Sequence, residues 1–514
     1  MTLLFILAIA ALLHSSIAQD FDVRQHLSTV SSFFIFFCRY GAVKDVSNDG
    51  YTDPIVPNGC TAVHLNLVAR HGTRAPTKKR IKELDRLSDR FKELLNHAKS
   101  EVSDGDKSLE SIPAWLWTWQ SPWKGRKKGG ELIPLGENEL YDLGLRVRER
   151  FPELFNEEYH PDVFPIKTTQ VPRASASAVA FGMGLFSERG SLGLGRHRAF
   201  AVTSESRASD IHLRFYDTCA TYKQYRQSQE PSVEKRKEPV FAEVSSALIK
   251  RYQLNFTIQD ISSLWFLCKQ EASLLDKTDQ ACALFSPAEV ALLEWTDDLE
   301  IFILKGYGES LNYRIGVPLL KDIFDSMEQA IVAREENHPL GTYEKARLRF
   351  AHAETVIPFT CLLGLFLEGS EFETILKEKP LELPSKPPKE RKWRGSIVAP
   401  FAGNNMLVLY ECKGNSSKST RQPDENTRKY FVQVLHNEKP TLMPGCGNKY
   451  LCPFDIFKEN VVNPHHNHSF NLICNARVET TETCSIACKF MRFFSRLFFF
   501  EGAEKSNSSE QGEL

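Results

Sequence analysis

The chain has 514 residues, of which 42% are hydrophobic and 25% are charged, as in a globular protein long enough for more than one domain. Its 64 basic and 65 acidic residues leave a net charge of −1, which argues against polyanion binding through overall charge. Any attraction for an anionic ligand must therefore be local.

The N-terminal segment predicts entry into the secretory pathway. An apolar run at residues 3–13 is too short to span a bilayer and precedes the small-x-small pattern Ser16-Ile17-Ala18. We expect a signal peptide over residues 1–18, with an uncleaved anchor as the alternative. Twelve cysteines without a Cys-x-x-Cys pair favour disulfides over structural zinc. Four glycosylation sequons begin at Asn255, Asn415, Asn467 and Asn507. Secretion, the endoplasmic reticulum, a vacuole and the cell surface all remain open as destinations.

A strand predicted over residues 63–68 and a helix beginning at residue 78 flank the sequence Arg70-His71-Gly72-Thr73-Arg74-Ala75-Pro76-Thr77. Open α/β sheets bind ligands at such turns, and helix N-termini favour anions. Guanidinium groups match phosphate oxygens, and an imidazole between them can attack phosphorus. The turn therefore predicts a phosphate site with a histidine nucleophile. The alternative is an exposed basic turn.

The middle of the chain predicts a second turn of this kind and a helical region. Residues 99–128, rich in Trp and Lys, form a long excursion before a helix at 137–151. A strand at 168–173 ends at Arg173 and leads into a helix; a solvated surface arginine is the alternative. Residues 226–344 are mostly helical in pattern.

A third strand is predicted from residue 346 and ends at His352-Ala353-Glu354. An apolar helix at 356–367 follows, with Pro358 in its first turn. Further strands are predicted at 396–401, 405–410 and 430–435, after a Pro/Lys/Glu-rich loop at 377–392. Lys489, Arg492 and Arg496 interrupt the apolar residues 486–500, which excludes a comfortable membrane span. This segment is either a poorly ordered tail or a membrane-surface segment.

These motifs resemble the histidine acid phosphatases, and most closely the multiple inositol polyphosphate phosphatases, including plant phytases of that type. The resemblance covers residues 25–474, interrupted at residues 31–38. Its strongest motifs are the turn at 70–77 and His352-Ala353-Glu354. The wider family usually has His-Asp at the second of these motifs, so His-Ala-Glu points to the inositol polyphosphate branch. Residues 172–178, Pro-Arg-Ala-Ser-Ala-Ser-Ala, also fit this branch.

The resemblance implies an α/β fold with a central, mostly parallel sheet flanked by helices and with an inserted α-helical domain. We expect the catalytic domain to comprise residues 40–98, 165–215 and 345–475. The helical insertions would then be 99–164 and 216–344, followed by a tail at 476–514.

The resemblance also implies roles for the motif residues. His71 would form a phosphohistidine, and Glu354 would protonate the leaving alcohol and later activate water. The phosphate would be held by Arg70, Arg74, Arg173 and His352. Acid pH would suit a protonated His352 and a protonated Glu354. We expect no metal and no other cofactor.

The implied substrate is an inositol polyphosphate such as phytate, with bisphosphoglycerate as a further one. Lys78, Lys79 and Arg80 are expected to bind additional phosphates; a solvated first helical turn is the alternative. Competing hypotheses are a broad-specificity acid phosphatase and a catalytically weak member that binds polyanions. No nucleic-acid partner is expected, and the sequence does not indicate an oligomeric state.

Disulfide pairs are predicted from position along the chain. Cys60 and Cys361 each lie close to a catalytic motif, and the motifs must converge in space, so we predict that they pair. Short separations predict two further pairs, Cys268–Cys282 and Cys446–Cys452.

Overall fold

The computed structural model describes residues 56–101, 108–368, 370–384, 386–388, 390–413 and 428–475. The expected signal peptide, the interruption at 31–38, the C-terminal tail and two of the four sequons lie outside these residues. Asn255 and Asn467 are exposed. Glycosylation at all four sites stays a prediction.

The described residues form a sheet of eight strands. The strands are β1 (Cys60–Arg70), β2 (Ile166–Thr169), β3 (Thr203–Glu205), β4 (Ala346–Ala351), β5 (Asn404–Lys413), β6 (Arg428–His436), β7 (Lys439–Pro440) and β8 (Leu451–Pro453).

Helices surround the sheet, and none in the described part of the chain is both long and apolar enough to cross a membrane. They are α1 (Lys78–Glu101), α2 (Pro134–Arg150), α3 (Pro172–Leu185), α4 (Phe215–Thr218), α5 (Ala220–Tyr252), α6 (Ile258–Gln270), α7 (Pro287–Lys305), α8 (Leu311–Arg314), α9 (Val317–Glu335), α10 (Ala353–Leu362), α11 (Glu371–Leu376), α12 (Gly395–Val398), α13 (Phe454–Phe457) and α14 (Phe470–Asn475).

The sheet order is β3-β2-β4-β1-β5-β6-β7, with β8 also paired to β6. The four strands β3, β2, β4 and β1 are parallel, whereas β5 to β8 pair antiparallel. The predicted α/β fold is confirmed, with the parallel arrangement confined to the half that carries the three motifs. In that half the carboxyl ends of β1, β2 and β4 meet at one edge.

Both faces of the sheet are buried, as parallel strands require. Leu65 and Leu67 of β1 pack with α2 and α3 on one face, whereas Val68 packs with α9 and α10 on the other. A separate apolar cluster joins α1, α5, α6 and the start of α7, and it includes Phe401 from the segment before β5. A helical layer therefore packs beside the sheet and reaches the edge where the motifs lie.

Several predicted elements are shifted. The strand predicted for residues 168–173 ends at Thr169, and Arg173 is instead the second residue of α3. The helix predicted for 356–367 begins at Ala353, directly after the His352 N-cap residue, so Pro358 lies in its interior. A proline there cannot donate the helical hydrogen bond, and α10 ends four residues later.

The strand predicted for residues 396–401 is wrong, because residues 395–398 form the helical turn α12. Buried carboxylates on α7 cause this difference. Asp298 accepts a hydrogen bond from the Gly395 backbone N–H at 2.8 Å, and Glu294 forms an ion pair with Arg394 at 2.7 Å. These tertiary contacts override the strand propensity of Ile397 and Val398.

The predicted Cys60–Cys361 disulfide is also wrong. Cys60 is bonded to Cys412, its direct neighbour across β1 and β5, and Cys361 is a buried free thiol. Although Cys60 is close in sequence to the motif at residue 70, β1 spans roughly 30 Å between them. Among the described residues, the other bonds are Cys268–Cys282 and Cys446–Cys452, as predicted, and Cys219–Cys474, which was not predicted. Four disulfides are typical of a protein that folds in an oxidising compartment.

Candidate active site

The sheet edge brings together residues that are far apart in sequence. His71 follows β1, His352 follows β4, and Arg173 lies in the first turn of α3 after β2. The two imidazole rings have centroids 5.3 Å apart, and Arg173 Nε donates to His71 Nε2 at 3.1 Å. The structure therefore places the three predicted motifs in one cluster.

The hydrogen bonds of His71 show which ring nitrogen carries the proton. Nδ1 lies 2.9 Å from the Gly72 carbonyl oxygen, which only accepts, so Nδ1 carries the proton. Nε2 then has the lone pair, which accepts from Arg173. Burial, followed by the charges of Arg173 and Arg70, holds the pKa of His71 well below its usual range. His71 consequently keeps a nucleophilic nitrogen in acidic solution.

Neutral backbone oxygens hold the two arginines of the motif. Arg70 Nη1 donates to the Ala399 carbonyl at 2.7 Å, and its guanidinium lies 4.2 Å from the centre of the Phe401 ring. Arg74 Nη1 donates to the Ala75 carbonyl at 2.6 Å. Both side chains are buried, so each can present a desolvated positive charge to a phosphate.

Helix α2 packs directly on the catalytic turn (residues 70–77). A Cβ atom added to Gly136 would lie 2.1 Å from the Thr73 carbonyl oxygen, so only glycine permits this approach. Glu139, one turn further along, accepts from both the Thr73 backbone N–H at 2.7 Å and the Thr73 hydroxyl at 2.9 Å. The Gly72 backbone N–H donates to Ser177 of α3. These contacts fix the backbone that presents His71.

The predicted protonation of His352 and Glu354 is opposed by their surroundings. His352 shares a 3.0 Å hydrogen bond between its Nε2 and Thr169 Oγ1, and burial, followed by the Arg173 charge, holds its pKa well below the usual range. Burial alone raises the pKa of Glu354, but the charges of Lys305 and His352 outweigh it and keep its pKa well below the usual range. A bound phosphate dianion would raise both pKa values.

The basic residues after the catalytic turn separate into two environments. Lys78 and Lys79 are exposed in the first turn of α1. Arg80 instead turns inward, where it pairs with Glu83 and lies 4.4 Å from the centre of the Phe266 ring. Of the three residues, only the two lysines are exposed, as the expected role requires, whereas Arg80 is buried.

Four residues of the site were missed by the sequence analysis. They support the motifs from other parts of the chain: Glu139, Thr169, Lys305 and Phe401. Each lies tens to hundreds of residues from the motif residue that it contacts. No local pattern marks such a residue, because its partner is set by the packing of separate elements.

The parallel sheet edge, the buried arginines and the paired histidines define a histidine-dependent phosphatase site. A family model described as "histidine phosphatase superfamily (branch 2)" matches residues 63–437 of this chain. The chain therefore belongs to this superfamily.

Among curated relatives, the chain is similar to multiple inositol polyphosphate phosphatase 1 of Dictyostelium discoideum, with 27% identity over 471 residues, covering 82% of this chain and 69% of the relative. It is similarly 27% identical over 454 residues to the protein of the same name from Homo sapiens, covering 84% and 87%. A thiamine-repressible acid phosphatase of Schizosaccharomyces pombe is 23% identical over 480 residues, covering 89% and 92%.

Two solved structures share the fold. The phytase from D. castellii matches with a TM-score of 0.62 and 17% identity, covering 89% of each chain. The Bifidobacterium longum multiple inositol polyphosphate phosphatase in complex with inositol hexasulfate matches with a TM-score of 0.56 and 16% identity, covering 86% of this chain and 98% of that one.

The contact between α2 and the catalytic turn predicts the effect of Gly136→Ala. The added methyl group must push the turn and α2 apart, and a displacement of about 1 Å lowers kcat/KM by about 10- to 100-fold. Asn138→Ala, at an exposed position of the same helix, is the matched control and should retain activity. Both variants would be assayed with p-nitrophenyl phosphate. Full activity of Gly136→Ala would show that this close approach does not position the site.

Proposed function

We propose that this protein hydrolyses phosphomonoesters of inositol polyphosphates such as phytate through a phosphohistidine intermediate. The observation that carries the proposal is the position of His71 Nε2, which accepts from Arg173 at 3.1 Å while Nδ1 is held by a backbone carbonyl. Buried Arg70 and Arg74 flank the same histidine in sequence.

In the first step, the substrate phosphate binds among Arg70, Arg74, Arg173 and His352. Their charges offset the negative charge on the equatorial oxygens. His71 Nε2 attacks phosphorus in line with the leaving oxygen, the P–O ester bond breaks, and an Nε2–P bond forms. Arg173 donates to Nε2 in the structure, so this hydrogen bond must be replaced by one to a phosphate oxygen as the substrate binds.

As the P–O bond breaks in this first step, Glu354 supplies the proton that the departing alkoxide requires. The second step regenerates the enzyme. The ionised carboxylate of Glu354 then takes a proton from water, which attacks the phosphohistidine, so that inorganic phosphate is released and His71 is restored. A polyanionic substrate supports the first half of this cycle, because its charge raises the pKa of Glu354 and favours the protonated acid.

The preference for inositol polyphosphates is supported by two kinds of observation. Relatives that span most of the chain carry the name multiple inositol polyphosphate phosphatase. Lys78 and Lys79 are exposed immediately after the phosphate-binding turn, where additional phosphates of one substrate can reach them. The four disulfides support a location in the secretory pathway. Association of residues 486–500 with a membrane surface stays a prediction.

The test of the proposal compares phosphate release from phytate and from p-nitrophenyl phosphate by the purified protein. A higher kcat/KM with phytate supports an inositol polyphosphate phosphatase. Equal values support a broad acid phosphatase, the activity in the names of the fission yeast relatives. Binding of phytate without turnover of either ester would support the polyanion-binding alternative and overturn the proposal.

His71→Ala is predicted to abolish turnover, because no other group can form the Nε2–P bond. Wild-type protein denatured in base during turnover should retain ³²P from a labelled substrate in a base-stable, acid-labile form, and the variant should retain none. His160→Ala, on an exposed histidine remote from the motifs, is the matched control. Labelling of the His71 variant at the wild-type level would exclude His71 as the nucleophile.

Glu354→Gln is predicted to slow esters with poor leaving groups by about 10²-fold or more, because the alkoxide is no longer protonated. Activated aryl esters need little protonation and should be affected much less. The measurement is kcat/KM for phenyl phosphate against p-nitrophenyl phosphate, because kcat/KM covers the steps up to the phosphohistidine and excludes the later activation of water. Equal losses on the two esters would indicate that Glu354 supports the structure rather than the proton transfer.

The double variant Lys78→Ala/Lys79→Ala is predicted to raise KM for phytate and to make this KM less dependent on salt concentration. The reason is that exposed cations attract polyanions through Coulomb interactions that salt screens. KM for p-nitrophenyl phosphate should change little, because the motif arginines hold a single phosphate. Lys82→Ala/Lys99→Ala, elsewhere on α1, is the control for net charge. If both substrates respond equally, the two lysines do not distinguish phosphate number.

A further inference from the structure

Helix α7 ends at a lysine that reaches the acid of the site. Lys305 Nζ donates to Glu354 Oε1 at 3.0 Å, across 49 residues of sequence. The Lys305 side chain is 4% exposed, whereas that of Glu354 is 20% exposed, so the lysine lies behind the carboxylate relative to solvent. None of the sequence motifs includes this residue.

This geometry makes the two carboxylate oxygens of Glu354 unequal as sites for a proton. An ammonium group donates and never accepts, so Oε1 beside it is the less favourable position for a proton. The proton that Glu354 transfers is therefore best carried by Oε2. A buried pair of this kind also restricts the rotation of the carboxyl group, which a general acid needs if it is to stay within reach of the leaving oxygen.

Charged and titratable groups face Glu354 from every element around it. They comprise Arg74 from the catalytic turn, His352 before α10, Tyr216 from α4, Tyr222 and Arg226 from α5, and Lys305 from α7. Within this set, Lys305 forms the direct ion pair with the carboxylate. Its charge therefore acts on Glu354 at the shortest range.

We propose that Lys305 is a positioning residue for the general acid, anchoring Glu354 Oε1 so that Oε2 faces the leaving group. This inference rests on the role assigned to Glu354 in the proposed function. The ion pair opposes protonation, whereas the negative charge of a bound phosphate favours it. Glu354 would accordingly be a competent acid mainly while a phosphate occupies the site.

The sign of the expected pH effect follows from the charges. Loss of the ammonium group removes the main influence that holds the pKa of Glu354 below its usual range, so this pKa rises. A general acid works while it is protonated. The basic limb of kcat/KM for an ester that needs the acid should therefore move to higher pH.

The experiment compares Lys305→Met, Lys305→Gln and Lys305→Arg with the wild-type protein over a range of pH. With phenyl phosphate, we expect the basic limb of the Met and Gln variants to move up by about one pH unit or more, and that of the Arg variant to stay near wild type. With p-nitrophenyl phosphate, kcat/KM should change by less than about threefold, because that leaving group needs little protonation.

Lys269→Met is the matched control. Lys269 is also buried and forms an ion pair at 2.8 Å with Asp297, on the same helix α7, but it does not contact Glu354. Its removal should leave the basic limb for phenyl phosphate unmoved. Gln retains a donor of similar length, so Lys305→Gln tests the effect of charge if Lys305→Met does not fold.

An unmoved basic limb in the Gln or Met variants, or equal losses on both esters, would overturn the assignment of Lys305. A basic limb that persists in Glu354→Gln would overturn it as well, because the limb would then belong to another group. These outcomes differ from a failure of the proposed function, in which the wild-type protein itself would form no phosphohistidine.

Discussion

The site depends on holding several positive side chains together in a buried place. Arg70, Arg74, Arg173, His71 and His352 converge at one sheet edge, where burial and their mutual repulsion disfavour protonated imidazoles. The hydrogen-bonded strands β1, β4 and β2 and the close contact of α2 with the catalytic turn offset that repulsion. The resulting charge is already arranged for a phosphate, so little reorganisation is needed when the phosphoryl group transfers.

Helix α7 connects the helical layer to both sides of this site. Its buried Glu294 and Asp298 hold residues 391–395, and the chain that follows presents the Ala399 carbonyl and the Phe401 ring to Arg70. The same helix ends at Lys305, which donates a hydrogen bond to Glu354, the proposed acid. Buried carboxylates in α7 are therefore structural ligands for arginines, and they position the phosphate-binding group indirectly.

The proposed nucleophile and the proposed acid are both held without an added proton before substrate binds, but by different neighbours. Burial and nearby arginines keep His71 unprotonated, which preserves its lone pair in acidic solution. Lys305 keeps Glu354 ionised until additional negative charge arrives. In the proposed reaction, the negative charge of the substrate raises the pKa of Glu354 towards protonation. At His71, burial and the charges of Arg173 and Arg70 oppose the same effect.

The sequence by itself determined the fold class and marked the residues that we propose to perform the chemistry. Strand periodicity followed by Arg-His-Gly-x-Arg or His-Ala-Glu is a local pattern, and carboxyl ends of parallel strands meet wherever the sheet forms. Tertiary structure alone decided which residues support them. The partners Glu139, Thr169 and Lys305, the helical turn at 395–398 and the Cys60–Cys412 bond all arise between elements distant in sequence. Such contacts depend on how strands and helices pack and on which buried charges must be paired, and neither is encoded in any single segment.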